Sequence, residues 1–420
     1  STGTDGQTTT NSYDSKGRLT QQTSPDGRTT QWGYDATGNP NRIVDSRGNA
    51  VDATYDLNGR MQSATSQVTV NGQTQTLSTS FTYDGEGRTL SSTNSLGNSQ
   101  SNTYNALGQV IATTDSLGNV TAFKYNANGL PTEITLPDNT PNNPNDNPKV
   151  VKTYDAENRL LSETSPTGLV TRYEYDSLGR LVKTILPDNT PNNASDNPQA
   201  TTEYTPGSRV KATVDILGNR ETFTYDDLGR LEEQKDVLGN PTTYTYNVGG
   251  QIASVTDAKN RTNRVVYDGQ GRPVETRFFD GSKTKTAYDE LGRVKSETNA
   301  LNQTTRYEYD SQSRVAAIIN ALGEKTQFTY DTRGNLTQLK DAKGNATRYE
   351  YDRYGRQVAT IAPTGERSRL EYDNFNQVVR AIDPKGNATK YSYDNLNQLT
   401  AVELANSTKT NYTYDNLGRL

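Results

Sequence analysis

The chain has 420 residues and a formal charge of −5, from 44 Lys and Arg against 49 Asp and Glu, which gives no footprint for a polyanion such as nucleic acid. It has no Cys and no His, which excludes disulfides, thiolate nucleophiles, imidazole bases and Cys- or His-ligated zinc, iron and copper sites. Hydrophobic residues are 30% of the chain against roughly 45–50% in ordinary domains, so a thick dry core is not expected.

Residue 1 is Ser with no basic-then-apolar leader, and no apolar run nears the ~18 residues of a membrane helix. Neither a signal peptide nor a membrane span is expected, and the sequence reads as a fragment of a longer protein.

Tyrosines recur at 13, 34, 55, 83, 104, 125, 154, 175, 204, 225, 246, 267, 288, 309, 330, 351, 372, 393 and 414, and fifteen of the eighteen spacings are 21 residues, the others 28, 29 and 29. The whole chain, 1–420, is thus expected to be one array of about 19 repeats. Four residues after the Tyr stands Gly in fourteen units, Asn at 158, 376 and 397, and Ser only at 208 and 313. Fourteen after it, in the fifteen regular units, Gly fills twelve positions and Asn260, Asn302 and Ser407 the rest. Gly and Asn accept positive φ most readily, so each unit turns twice.

Between the turns lie strand-length segments with period-two alternation, as in Thr171-Arg172-Tyr173-Glu174-Tyr175. One unit is one antiparallel hairpin. Two residues before the repeat Tyr an aromatic stands in eleven units, which predicts two rows of rings on one face. The fold expected is all-β: about 38 strands, or roughly 180 Å of sheet, too wide to stay open and flat. Twist and edge exposure favour a continuous ribbon coiled around a cavity.

Three insertions interrupt the period, near 66–76, 134–148 and 185–198. The first, around Asn71-Gly72, reads as a longer hairpin. The other two are near-duplicates, Leu136-Pro137-Asp138-Asn139 and Leu186-Pro187-Asp188-Asn189 onwards. Their Asp/Asn content suits Ca²⁺ at Asp138 and Asp188, but they lack calcium-loop spacing, and the same composition suits an exposed loop. No other cofactor is expected.

The unit Tyr-Asp-x-x-Gly-Arg-Leu at 175–181, 225–231 and 414–420, with Gly-Asn turns at 118–119, 239–240 and 344–345, resembles the YD repeats of the Rhs family. That family includes bacterial polymorphic toxins, toxin-complex BC shells, wall-associated proteins and teneurins. The resemblance implies a hollow spiral shell that, in toxin members, encloses a C-terminal effector. It further implies a bacterial, exported origin, at the cell surface or secreted, and contact with a secretion apparatus. The family's toxin members also carry an Asp-Pro-x-Gly self-cleaving element; Asp383-Pro384-Lys385-Gly386 is similar but sits in ordinary second-turn register, which reads as a turn.

No catalytic or metal-binding residue stands out. The residues singled out are structural: Tyr175, Asp176, Gly179 and Arg180; Tyr225, Asp226, Gly229 and Arg230; Tyr351, Asp352, Gly355 and Arg356. Asp follows the Tyr in fifteen units, and is expected to accept backbone N–H groups in its turn. Arg follows the first Gly in twelve. It is expected to pair with an acid of a neighbouring hairpin or stack on a tyrosine, with a cationic groove as the alternative. The function expected is a non-enzymatic wall that sequesters an effector domain; the alternative is a cell-surface adhesin stacking sugars on its aromatic rows.

Overall fold

The computed structural model describes residues 8–70, 73–138, 146–188, 197–415 and 417–420. Among the described residues there are 37 strands and no helix, from β1 (Thr10–Tyr13) to β37 (Lys409–Asn411). Each strand pairs antiparallel with its neighbours in chain order. β1 pairs only with β2 (Leu19–Thr23), and β37 only with β36 (Leu399–Glu403), so the sheet is unclosed.

The hairpin of β15 (Val170–Tyr175) and β16 (Leu181–Ile185) shows why the unit folds this way. Gly179 N–H donates to the Asp176 carbonyl (2.9 Å) and Asp176 N–H to that of Arg180 (3.0 Å). Gly179 sits at φ 78°, the left-handed residue that follows a type I turn in this kind of hairpin. The register slips between Glu174 and Tyr175, a β-bulge that raises local twist. The same slip recurs at Thr224/Tyr225 and Glu350/Tyr351. Ser208, Ser313 and Ser407 break the Gly/Asn rule in sequence only, for their φ values are 61°, 61° and 65°.

Tyr173 and Tyr175 are half-buried while Arg172 and Glu174 between them are exposed, as the alternation requires. Among the described residues the buried apolar set is small: Val68, Ala212, Ala317, Ala359, Ile382 and Ala401, with no large side chain fully buried. Three of these alanines lie beneath ion pairs that reach across their strand. Arg220–Glu203 (2.6 Å) spans Ala212, Lys325–Glu308 (2.7 Å) spans Ala317, and Arg367–Glu350 (2.6 Å) spans Ala359. Long side chains here cover surface with their stems.

The accessible surface is 25421 Å², whereas a compact monomer of this mass would expose about 16,000 Å². A wall with two solvated faces accounts for the excess. That wall coils, because distant units touch. Asn49 Nδ2 donates to the Thr332 carbonyl (3.1 Å), Asn98 Nδ2 to that of Asn374 (2.6 Å), and Asn119 Nδ2 to that of Asn395 (2.8 Å). Each bond joins units thirteen hairpins apart in chain order. Because each bond joins a second turn to a first turn, one winding is 25 strands, about 120 Å of sheet at ~4.8 Å per strand. A circle of that perimeter is about 40 Å across at mid-wall, leaving about 30 Å inside a ~10 Å wall.

In the first insertion β6 (Met61–Val70) pairs with β7 (Gln73–Tyr83) out to Val70↔Gln73, the longer hairpin its sequence suggests; the tip at Asn71-Gly72 lies outside the described residues. The other two close alike at their necks, Leu136 N–H to the Pro148 carbonyl and Leu186 N–H to that of Pro198, both 2.8 Å. Residues 139–145 and 189–196 lie outside the described residues, and with them most of the loops on which calcium was expected; at one neck Asp138 is buried.

Candidate functional site

The recurring Tyr, Asp, Gly and Arg of the unit gather on one rim of the ribbon, where the Tyr-Asp turns lie. Asp176 Oδ1 accepts the N–H groups of Leu178 (2.9 Å) and Arg180 (3.0 Å), and Oδ2 accepts Arg180 Nε (2.7 Å). Asp226 and Asp352 do the same with Leu228 and Arg230, and with Tyr354 and Arg356. The turn role expected of Asp is what the geometry displays.

Arg differs from expectation in one respect. Its acid is the Asp of its own turn, not that of a neighbouring hairpin, because the turn brings residues four apart side by side. Eleven of the twelve make this pair; the exception, Arg209, has Thr205 in place of the Asp. The stacking expected does occur, on the next unit's ring: Arg180 lies 4.6 Å from the Tyr204 centroid, Arg230 4.4 Å from Tyr246 and Arg356 4.7 Å from Tyr372. Nη1 then reaches the following turn, from Arg356 to the Asp373 carbonyl (2.9 Å) and from Arg180 to Ser208 Oγ (3.1 Å). A like bond joins Arg293 to Ser313 (3.1 Å), so both of these left-handed serines are held by the preceding unit's Arg.

One role escaped the sequence reading. The hydroxyl of every repeat Tyr after Tyr13 donates to the first-strand carbonyl of the preceding unit, as Tyr175 to Leu160 (3.0 Å), Tyr225 to Val210 (2.8 Å) and Tyr351 to Leu336 (2.9 Å). The signal was available: this position is Tyr in all nineteen units, whereas the position two before it is Trp, Phe or Tyr in eleven and non-aromatic in the other eight. A requirement for a hydroxyl, not merely a ring, separates the two.

The turn aspartates are held in the ionised form. The bond from the Arg180 side chain, followed by its backbone N–H, lowers Asp176 below the usual carboxylate value, and the Arg230 N–H lowers Asp226. Asp35, held by the Thr37 hydroxyl and the Asn39 N–H, is brought to about 2. A general acid at neutral pH requires the opposite shift. Asp383 likewise caps an ordinary turn, accepting the N–H groups of Lys385 (2.9 Å) and Asn387 (2.8 Å), with Gly386 at φ 88°. Among the described residues no group of three or more carboxylates is placed to hold a metal ion.

Two family models match the chain: Teneurin YD-shell over residues 277–420, and RHS Repeat over 13–50, 104–141, 154–191 and 225–262. The chain belongs to the Rhs/YD-repeat family. Its fold is that of the family's shells. TcdB2-TccC3 aligns at TM-score 0.72 and 14% identity, over 98% of this chain and 29% of that one. The same complex without its hypervariable C-terminal region gives 0.63 at 15% identity, again over 98% and 29%. A Photorhabdus luminescens Tc holotoxin pore gives 0.52 at 14%, over 99% and 33%. This YD array thus spans about a third or less of the shell chains it resembles. No curated protein matches it in sequence. Among the described residues no helix is long and apolar enough to cross a membrane.

Proposed function

We propose that this YD array is part of the wall of an Rhs-type shell that encloses a C-terminal effector segment of the same parent protein and keeps it from its targets until release. The observation that carries the reading is the return of the ribbon on itself after thirteen hairpins, sealed by Asn49, Asn98 and Asn119. A winding of that perimeter leaves an interior of about 30 Å, the width of a small domain. The wall does its work sterically, without catalysis: backbone groups are paired along the ribbon, and every rim carboxylate described above is already engaged in a turn. Export from a bacterial cell and hand-over to a delivery apparatus follow from the same reading. The likeness to TcdB2-TccC3, a complex with a hypervariable C-terminal region and solved also without it, supports it.

The test is protease protection in the parent polypeptide. The segment downstream of the shell should survive a protease that digests the same segment when it is expressed alone, and should become sensitive once the windings are parted by mild denaturant. Equal digestion rates inside and outside the shell would end the containment reading.

A further inference from the structure

At one place the seam meets a long hairpin instead of a regular second turn. The bonds from Asn49 to Thr332 and from Asn98 to Asn374 leave between them the Tyr-Asp turn at 352–356, and the unit in register to meet it is the one that carries β6 and β7. First strands elsewhere in the ribbon have five or six residues, whereas β6 has ten and stays paired out to Val70↔Gln73. Its second half therefore runs about 17 Å past the level at which the regular strands end, across the seam and beside the facing winding.

Burial along that overhang alternates with period two. Ser66, Gln75 and Leu77 are half-buried and Val68 is only 8% exposed, whereas Gln67, Thr74 and Thr76 are exposed. A two-stranded hairpin standing free in water would be wet on both faces; this one has a covered face. The facing winding lies on that side, for Ala64, Ser66 and Leu77 line one cavity of about 430 Å³ together with Tyr354, Arg356 and Asn376. Tyr354 is unusual among the turns: its place, three residues after the repeat Tyr, is aromatic elsewhere only at Phe375. Its ring lies 4.7 Å from the Arg353 guanidinium and 5.0 Å from that of Arg356, and its hydroxyl oxygen is buried with no partner among the described residues.

We infer that the β6–β7 hairpin is a strap laid across the seam, seated by its Val68 face against the Tyr354 turn, and that it holds the two windings together and sets where they part. The asparagine bonds of the seam are single side-chain contacts, each able to break alone. The strap adds an apolar contact carried on paired backbone, so the windings separate last where it lies. This goes beyond the containment reading and does not depend on it, requiring only the two windings described.

The chain has no Cys, so a single introduced thiol reports local opening through its rate of alkylation by iodoacetamide in the 420-residue protein. V68C is expected to react at least about tenfold more slowly than Q67C, its neighbour on the exposed face, because the strap must lift first. Y354A should bring V68C up towards the Q67C rate, whereas Y354F should leave it slow, since the hydroxyl bonds nothing and the ring is the seat. A second thiol, L117C, sits half-buried on the seam away from the strap. V68D should speed its reaction by about tenfold as the windings loosen, and Q67D, the same charge on the exposed face, should not. Far-ultraviolet circular dichroism matching the native spectrum keeps misfolding apart from a lifted strap. V68C reacting as fast as Q67C, V68C staying slow beside Y354A, or V68D and Q67D acting alike on L117C would overturn the inference.

Discussion

The hydroxyl of the repeat tyrosine can be isolated by one chemical change made at two places. Tyr246 Oη donates to the Leu231 carbonyl at 2.7 Å, and its ring lies 4.4 Å from the Arg230 guanidinium. Tyr244, two residues earlier on the same strand, has no side-chain bond within the described residues. Tyr246→Phe keeps the ring and its stacking and removes one hydrogen bond, a loss of about 1 kcal/mol. Tyr244→Phe removes a hydroxyl that bonds nothing and should fall within about 0.3 kcal/mol of the parent chain. Because contacts along such an array are between neighbours, the effect is local. Hydrogen exchange of peptides covering residues 225–252 is the fitting assay: 1 kcal/mol corresponds to about fivefold faster exchange from local opening. Equal effects from the two substitutions would refute the claim that the hydroxyl, not the ring, fixes the repeat position as Tyr.

Gly239→Ala meets open space and should cost only the left-handed backbone term, about 1–2 kcal/mol; at Gly229 an added Cβ meets only the guanidinium end of Arg209, a flexible side chain that can swing aside, so Gly229→Ala should cost a similar amount; thermal melts of the two variants compare them. Asp176→Ala removes the acceptor for two backbone N–H groups, an effect of about 1 kcal/mol by analogy with helix caps. Asp176→Asn keeps the backbone acceptor, as Asn105, Asn126 and Asn247 do in the equivalent turns, but loses the ion pair with Arg180, where those units carry Gln109, Leu130 and Gln251; in urea unfolding it should destabilise, though less than Asp176→Ala. Acid should loosen the rim in a defined window. Carboxylates lowered in the folded state stabilise it above their unfolded value of 3.8 and lose that effect as pH falls, so circular dichroism should hold from neutrality to pH 5 and decline from about 4 towards the value of about 2 at Asp35; a midpoint above pH 5 would contradict it. Ala317→Leu should unseat the Lys325–Glu308 arch and cost about 1–3 kcal/mol, read from the same melts.

The fold was legible because local signals repeat. Positive φ is needed at two fixed places per unit, and nineteen registers of Gly, Asn or Ser reveal it even though Ser208 alone would mislead. The coil was inferable from width and twist, but its circumference was not, since no local pattern encodes that Asn98 meets Asn374. The Arg partner was misjudged because sequence spacing does not tell a four-residue approach within a turn from one across hairpins. The buried alanines were missed for a related reason: Ala317 looks like a weak core residue until the ion pair that roofs it is seen.

How the windings are joined bears on how such a wall comes apart. Within the ribbon every hairpin is zipped to the next by backbone ladders, but the seam consists of side-chain bonds, asparagine amides resting on turn carbonyls and the Ser46 hydroxyl on Gln312. Pulled along its axis, the wall should part like a coil spring, each loop staying whole while the gaps between loops widen. No strand is stripped of its partner in that motion, so the protein can yield a passage without creating the sticky raw border that makes torn sheets aggregate.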